Sequence, residues 1–224
     1  MKTKSPQNLT DKAALKGTIT LVLGGVRSGK SRFAQDLAAQ LGGDDVLFVA
    51  TAESRDDEMD QRIQHHRKSR PVTWQTLEQP LRTGRTIAAA NPLPAVVLVD
   101  CLTLLVSNVM CRNESVDSDD FKQNFADLET CVLHEVDALI EVAAKHSIHL
   151  LIVSGEVGSG VVPEHKMGRM FRDLLGFANQ RIAASATATY WMLAGLAINA
   201  TDIAINVERA ASGLRQNNRA GIEQ

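Results

Sequence analysis

Five short, almost unbroken apolar runs punctuate the chain, at 18–23, 45–51, 95–100, 148–153 and 189–194. Runs that leave no polar face suit strands covered on both sides of a parallel sheet. Between them the apolar positions move to helical spacing. Residues 32–41 carry Phe33, Ala34, Leu37, Ala38 and Leu41, and Gly42 and Gly43 stop them. The stretch 54–70 has acids in its first turn, bases in its last and Pro71 beyond it, an order that suits the helix dipole. A short extended segment is expected at 72–78, a helix at 81–90 ahead of the turn Asn91 to Pro94, and a polar loop at 108–120. The stretch 121–146 places Phe125, Leu128, Val132, Val136, Leu139, Ile140 and Ala143 on one side of a long helix. The stretch 163–186 turns Met167, Met170, Phe171, Leu174, Leu175, Ala178 and Ile182 inward. Strands alternating with helices predict an α/β fold, a mostly parallel sheet with helices on both faces and a ligand at the carboxyl ends of the strands. The expected organisation is a polar extension at 1–17, one domain at 18–200 and a polar tail at 201–224.

Composition narrows this picture only slightly. A chain of 224 residues, 44% hydrophobic, can bury one sizeable core without division. The net charge of -2 gives no electrostatic reason to expect a nucleic-acid partner or insertion in a membrane. Cys101, Cys111 and Cys131 form no CxxC pair, so neither a disulfide framework nor a zinc site is suggested and a reducing, cytoplasmic compartment is expected. No apolar run reaches the length of a membrane span, which points to a soluble protein.

The chemistry begins where the first apolar run ends. Gly24, Gly25, Val26, Arg27, Ser28, Gly29, Lys30 and Ser31 fit the P-loop pattern of Gly, four residues, Gly, Lys, Ser. Gly24 and Gly29 let successive N–H groups turn toward an anion, Lys30 reaches the β- and γ-phosphates, and the Ser31 hydroxyl sits on Mg²⁺. Asp100 closes the run 95–100, where a buried strand can hold a carboxylate against that metal. In the helix 54–70, ~100° per residue puts Met59, Ile63 and His66 on one stripe and His65 away from it. His66 therefore reads either as an inward catalytic imidazole or, with His65, as a partial cation favoured at a helix C-terminus. Residues 154–165, SGEVGSGVVPEH, mark a binding loop with Pro163 starting the next helix.

Together GGVRSGKS, the DDEM..RIQHHRKSRP..W...E segment, the D-C-L-T after the strand 95–100 and EVG.G.VPE......FRD..G..NQR resemble one family. It is the bifunctional adenosylcobinamide kinase and adenosylcobinamide-phosphate guanylyltransferase family of cobalamin biosynthesis. The resemblance implies a RecA-like P-loop fold in a homotrimer and two reactions on one corrinoid. A nucleoside triphosphate, ATP or GTP, phosphorylates adenosylcobinamide, and GTP then gives GMP to adenosylcobinamide phosphate through a guanylylated histidine. That histidine matches His66, with Lys30 as the other catalytic group. By the same matching Ala50, Thr51, Ala52, Arg67, Lys68, Ser69, Arg70, Glu78 and Asp100 contact nucleotide, and Ser31 and Asp100 hold Mg²⁺. A Glu78 carboxylate accepting from guanine N1–H and N2–H₂ would favour GTP over ATP. The chain departs from the family pattern at Gly155, where Asn is expected, and at Ser69, where Gly is. Two rival readings are a P-loop kinase without nucleotidyl transfer and a nucleotide-dependent switch, neither of which needs an imidazole beside the α-phosphate.

Overall fold

The computed structural model describes residues 17–53, 61, 64, 67, 70–112 and 121–212. Its centre is a seven-stranded sheet whose strands are β1 (Thr18–Gly24), β2 (Val46–Ala50), β3 (Gln75–Glu78), β4 (Val96–Asp100), β5 (His149–Gly155), β6 (Ala188–Leu193) and β7 (Leu196–Asn199), in the order β3-β2-β4-β5-β1-β6-β7. All neighbours are parallel except β6 and β7. This is the RecA-like arrangement expected, with β5 standing between the P-loop strand β1 and the strand of Asp100.

The helices include α1 (Lys30–Gly42), α2 (Thr83–Ala89), α3 (Leu102–Arg112), α4 (Phe121–Lys145), α5 (Lys166–Ser185) and the short α6 (Ala200–Ile203), and residues 61, 64, 67 and 207–212 are helical as well. Residues alternate across the sheet with period two. Leu21, Leu47, Val49, Val97, Val99, Leu150 and Ile152 face α2 to α5, while Val22, Phe48, Val96, Leu98, Leu151 and Val153 face α1. Each fully buried Leu, Ile, Val or Phe contributes about 1.5–3 kcal/mol relative to exposure. The α1 side is the thinner layer: Ala34 and Ala38 let the helix lie close, and a Cβ at Gly42 would come 2.8 Å from Val96.

Four expectations need correction. The stretch 108–120 does not begin as a loop, because α3 runs through Asn108 to Arg112 with Asn108, Val109 and Met110 buried. A polar residue ended the apolar pattern in the sequence but not in the fold, since its amide finds partners inside. Pro163 does not start α5, which begins at Lys166. Met167 is not inward but 49% exposed, as it lies in the first turn before the helix reaches the core. The strand at 189–194 is not the last: a two-residue turn at Ala194 and Gly195, both with positive φ, returns the chain as β7. That backbone matches the tight hairpin whose central residues both need φ above zero.

Candidate active site

The loop between β1 and α1 is held from two sides. Gly24 O accepts from Glu156 N at 3.0 Å, and Ser28 O accepts from Gly195 N at 3.0 Å. At Gly24 a Cβ would stand 2.6 Å from Met192 O and 2.7 Å from Ser28 Oγ, so only glycine fits between β1 and β6. Gly29 has φ +94°, a left-handed conformation that side chains resist. Lys30 Nζ arches back over the loop to donate to Gly25 O at 2.7 Å. Burial lowers the Lys30 pKa below its ordinary value, with Cys101 and then Asp100 opposing the shift.

Strand register places the acidic groups. Ala50 pairs with Glu78 on one side and Asp100 on the other, and Asp100 in turn pairs with Val153. Ala50 and Val153 face α1, so the alternation puts Glu78 and Asp100 on that face too, beside Lys30 and Ser31. Two strand spacings, roughly 10 Å, separate their backbones. A ribose separates a nucleobase from its phosphates by a comparable span.

A cavity of about 520 Å³ opens on this row. Of the residues expected to bind nucleotide, it is lined by Gly24, Val26, Arg27, Lys30, Ser31, Ala50, Ala52, Arg67, Arg70, Glu78 and Asp100. Gly25, Ser28 and Gly29 belong to the loop but do not line the cavity, and Ser28 is buried. Thr51 is fully buried and stands behind the wall, its Oγ1 donating to Cys101 O at 2.7 Å and accepting from Cys101 N at 2.8 Å. His66, Lys68 and Ser69 lie outside the described residues; Gln64 and Arg67, helical and on either side of His66 in the chain, both line the cavity.

Charges meet across this space. Arg70 stacks its guanidinium 3.7 Å from the Phe48 ring centroid, and its Nε is buried without a hydrogen-bond partner among the described residues. Burial lowers the Arg70 pKa, Asp100 opposes that, Arg67 adds to it and Glu78 opposes it. Arg67 donates to Glu78 in an ion pair whose side chains are about half exposed, 53% and 52%. Such a pair stabilises the fold little, so a ligand can replace it at small cost. The Cys101 thiol, enclosed by protein although the residue keeps intermediate exposure, is pushed up to about 12, by burial first and the Asp100 charge second.

Two side chains outside the expected set of site residues shape the opposite wall. Thr103 Oγ1 accepts from Gly155 N at 2.6 Å, and Asn179 Nδ2 donates to Gly155 O at 3.1 Å. Gly155 is thereby pinned at both backbone atoms, and a Cβ there would sit 3.0 Å from Thr103 Oγ1. The carboxylate of the next residue, Glu156, accepts from Gly158 N and Ser159 N at 2.6 and 3.2 Å, shaping the loop that follows. Thr103 falls within the D-C-L-T segment and Asn179 within NQR, so their place in those motifs was the available signal. Two of the other histidines have polar partners away from the cavity: His134 meets Arg85 at 2.8 Å and His149 meets Thr18 at 2.8 Å.

Known proteins bear on this geometry. The family model for cobinamide kinase / cobinamide phosphate guanyltransferase matches residues 20–200. The bifunctional adenosylcobalamin biosynthesis protein CobU of Escherichia coli is 36% identical over 178 residues, 80% of this chain and 97% of that protein. Its namesake from Salmonella typhimurium is 35% identical over the same 80% and 97%. The corresponding CobP of Pseudomonas aeruginosa is 37% identical over 79% of this chain and 93% of that protein. A match that contains the P-loop, the Asp100 strand, Gly155 and the wall around the cavity places the chain in the cobinamide kinase / cobinamide phosphate guanyltransferase family.

Proposed function

We propose that this protein phosphorylates adenosylcobinamide with ATP or GTP and then transfers GMP from GTP to adenosylcobinamide phosphate. The observation that carries the reading is the row in which Glu78 and Asp100 flank Ala50 on the face of Lys30 and Ser31. It offers a base-reading carboxylate at one end and phosphate and metal groups at the other. Arg70, whose Nε has no partner among the described residues and which feels the charge of both acids, supports binding of an anion between them.

In the kinase step the corrinoid hydroxyl oxygen bonds to the γ-phosphorus, the bond from that phosphorus to the β-phosphate oxygen breaks so that the nucleoside diphosphate leaves, and the hydroxyl proton passes to solvent. In the transfer step a neutral nitrogen of His66 attacks the α-phosphorus of GTP and pyrophosphate leaves, giving a phosphoramidate. A phosphate oxygen of adenosylcobinamide phosphate then displaces His66, and the product is adenosylcobinamide-GDP. Loop N–H groups and Lys30 balance the charge of the departing pyrophosphate, so fixed electrostatics and positioning supply most of the acceleration. Ser31 and Asp100 present an all-oxygen donor set to the same cavity, which would suit Mg²⁺. When bound, that ion neutralises the leaving phosphates. Glu78 accepts from guanine N1–H and N2–H₂ in place of its Arg67 partner.

The protein works as a cytoplasmic homotrimer in this reading. Three free cysteines support a reducing compartment, and no described helix is long and apolar enough to cross a membrane. Exposed Trp191, Leu193 and Leu196 on the β6–β7 hairpin support self-association, which light scattering after size exclusion tests directly. The activity is tested by incubating the protein with adenosylcobinamide, GTP and Mg²⁺ and weighing the corrinoid products by mass spectrometry. The phosphate followed by the GDP adduct is expected. Phosphate alone reduces the protein to a kinase, and an unchanged corrinoid overturns the proposal.

A further inference from the structure

Asn108 sits in the middle of α3 with only 3% of its surface exposed, where its amide must find partners inside the protein. Its Nδ2 donates to Thr51 O at 2.8 Å and to Pro80 O at 3.1 Å. These carbonyls belong to two different segments, one leaving β2 and the other leaving β3. On the first, Thr51 N donates to Asp100 O at 3.3 Å, and the Thr51 hydroxyl bridges both backbone polar atoms of Cys101. On the second, Pro80 stands two residues past Glu78, and Gln79 between them is fixed by its N on Ala50 O at 2.8 Å and by Thr83 Oγ1 on its O at 3.0 Å. A single NH₂ group thus joins the backbone behind Glu78 to the backbone behind Asp100.

We propose that Asn108 is a positioning residue for guanine selection, setting the Glu78 carboxylate at a fixed place relative to Asp100 so that base and phosphates are gripped together. Asn108 does not line the cavity, and its effect passes through Thr51 and Pro80. The inference rests on the reading of Glu78 as the group that accepts from guanine. An amide that only filled the core would weaken all nucleotides alike. One that places Glu78 also decides between guanine and a base lacking the exocyclic amine. ITP is that comparison, since it keeps N1–H and loses N2–H₂.

The test measures guanylyl transfer kcat/KM for GTP and for ITP, and the Mg²⁺ concentration at half-maximal rate, in wild type, Asn108→Ala, Glu78→Gln and the double variant. Asn108→Ala is expected to lower the GTP-to-ITP ratio roughly tenfold, the scale of one misplaced charge-assisted hydrogen bond, and to raise the Mg²⁺ requirement. In the Glu78→Gln background the same change should move the ratio far less, because the carboxylate it places is gone. If Asn108→Ala instead depresses GTP and ITP equally while Glu78→Gln still collapses the ratio, Asn108 is only structural and the inference fails alone. If Glu78→Gln leaves the ratio intact, the guanine reading fails and takes the inference with it. Asn108→Ser, which keeps one donor, gives the same comparison at smaller amplitude should the alanine variant not fold.

Discussion

Replacing Thr51 by valine changes one buried hydroxyl to a methyl and leaves the shape almost unaltered. The consequence can be worked from the contacts. Cys101 N–H donates only to Thr51 Oγ1 among the hydrogen bonds described, so the valine orphans it, at about 1–3 kcal/mol. Cys101 O also accepts from Leu105 N at 3.2 Å and therefore stays partly satisfied, losing about 1 kcal/mol net. The sum is about 2–4 kcal/mol. With a urea m-value of about 2–3 kcal/mol/M, the unfolding midpoint should fall by about 0.7–2 M. Thr51→Ser keeps both bonds and should lose about 1 kcal/mol or less for its missing methyl. Urea titrations followed by circular dichroism compare the three proteins. A valine variant within about 0.5 kcal/mol of wild type, or a serine variant as weak as valine, would refute the claim that this hydroxyl fixes the Asp100–Cys101 junction.

Four further outcomes follow from the same geometry. Gly24→Ala forces a Cβ to within 2.6 Å of the Met192 carbonyl, so the loop must shift and GTP affinity by calorimetry should collapse; unchanged affinity would show the loop to be adaptable. Lys30→Ala should cut guanylyl transfer by about 10²- to 10³-fold, the scale of losing one fixed positive donor, as measured by pyrophosphate release. Because burial lowers the Lys30 pKa, the alkaline limb of kcat/KM, which reports free enzyme, should fall below the ordinary lysine value of 10.5. The stability sign is the reverse of a salt-bridged lysine. The folded state holds this proton less tightly than the unfolded chain, so its penalty is complete at neutral pH and fades as pH rises through the folded pKa toward 10.5. Lys30→Met should therefore stabilise the protein at pH 7 more than at pH 10 in parallel urea titrations.

The P-loop was legible because all its chemistry lies in one contiguous stretch with glycines where the backbone needs them. The buried strands were legible because a parallel strand covered on both faces has no polar alternation to confuse it. Asp100 was legible as the carboxylate closing a buried run and Glu78 only by resemblance, and the register supplied what sequence spacing could not, a common face on either side of Ala50. α3 escaped because Asn108 is polar in composition and buried in fact, its hydrogen-bond partners lying 28 and 57 residues away. Long-range satisfaction of this kind leaves no local period. β7 escaped because it has only four residues, and its turn uses Ala194 at positive φ instead of the Asn or Asp that advertises such a hairpin. Thr51 shared the expected neighbourhood, yet its hydroxyl is committed to the backbone of Cys101.

The most direct test of the account follows the label from GTP onto the protein. Purified protein is incubated with Mg²⁺ and either α-labelled or γ-labelled GTP, denatured and counted, beside His66→Ala. The account predicts acid-labile, base-stable label from α-labelled GTP alone and none on the variant, the behaviour of a guanylyl phosphoramidate on His66. Protein that binds GTP yet retains no label, or that labels equally well without His66, would contradict it.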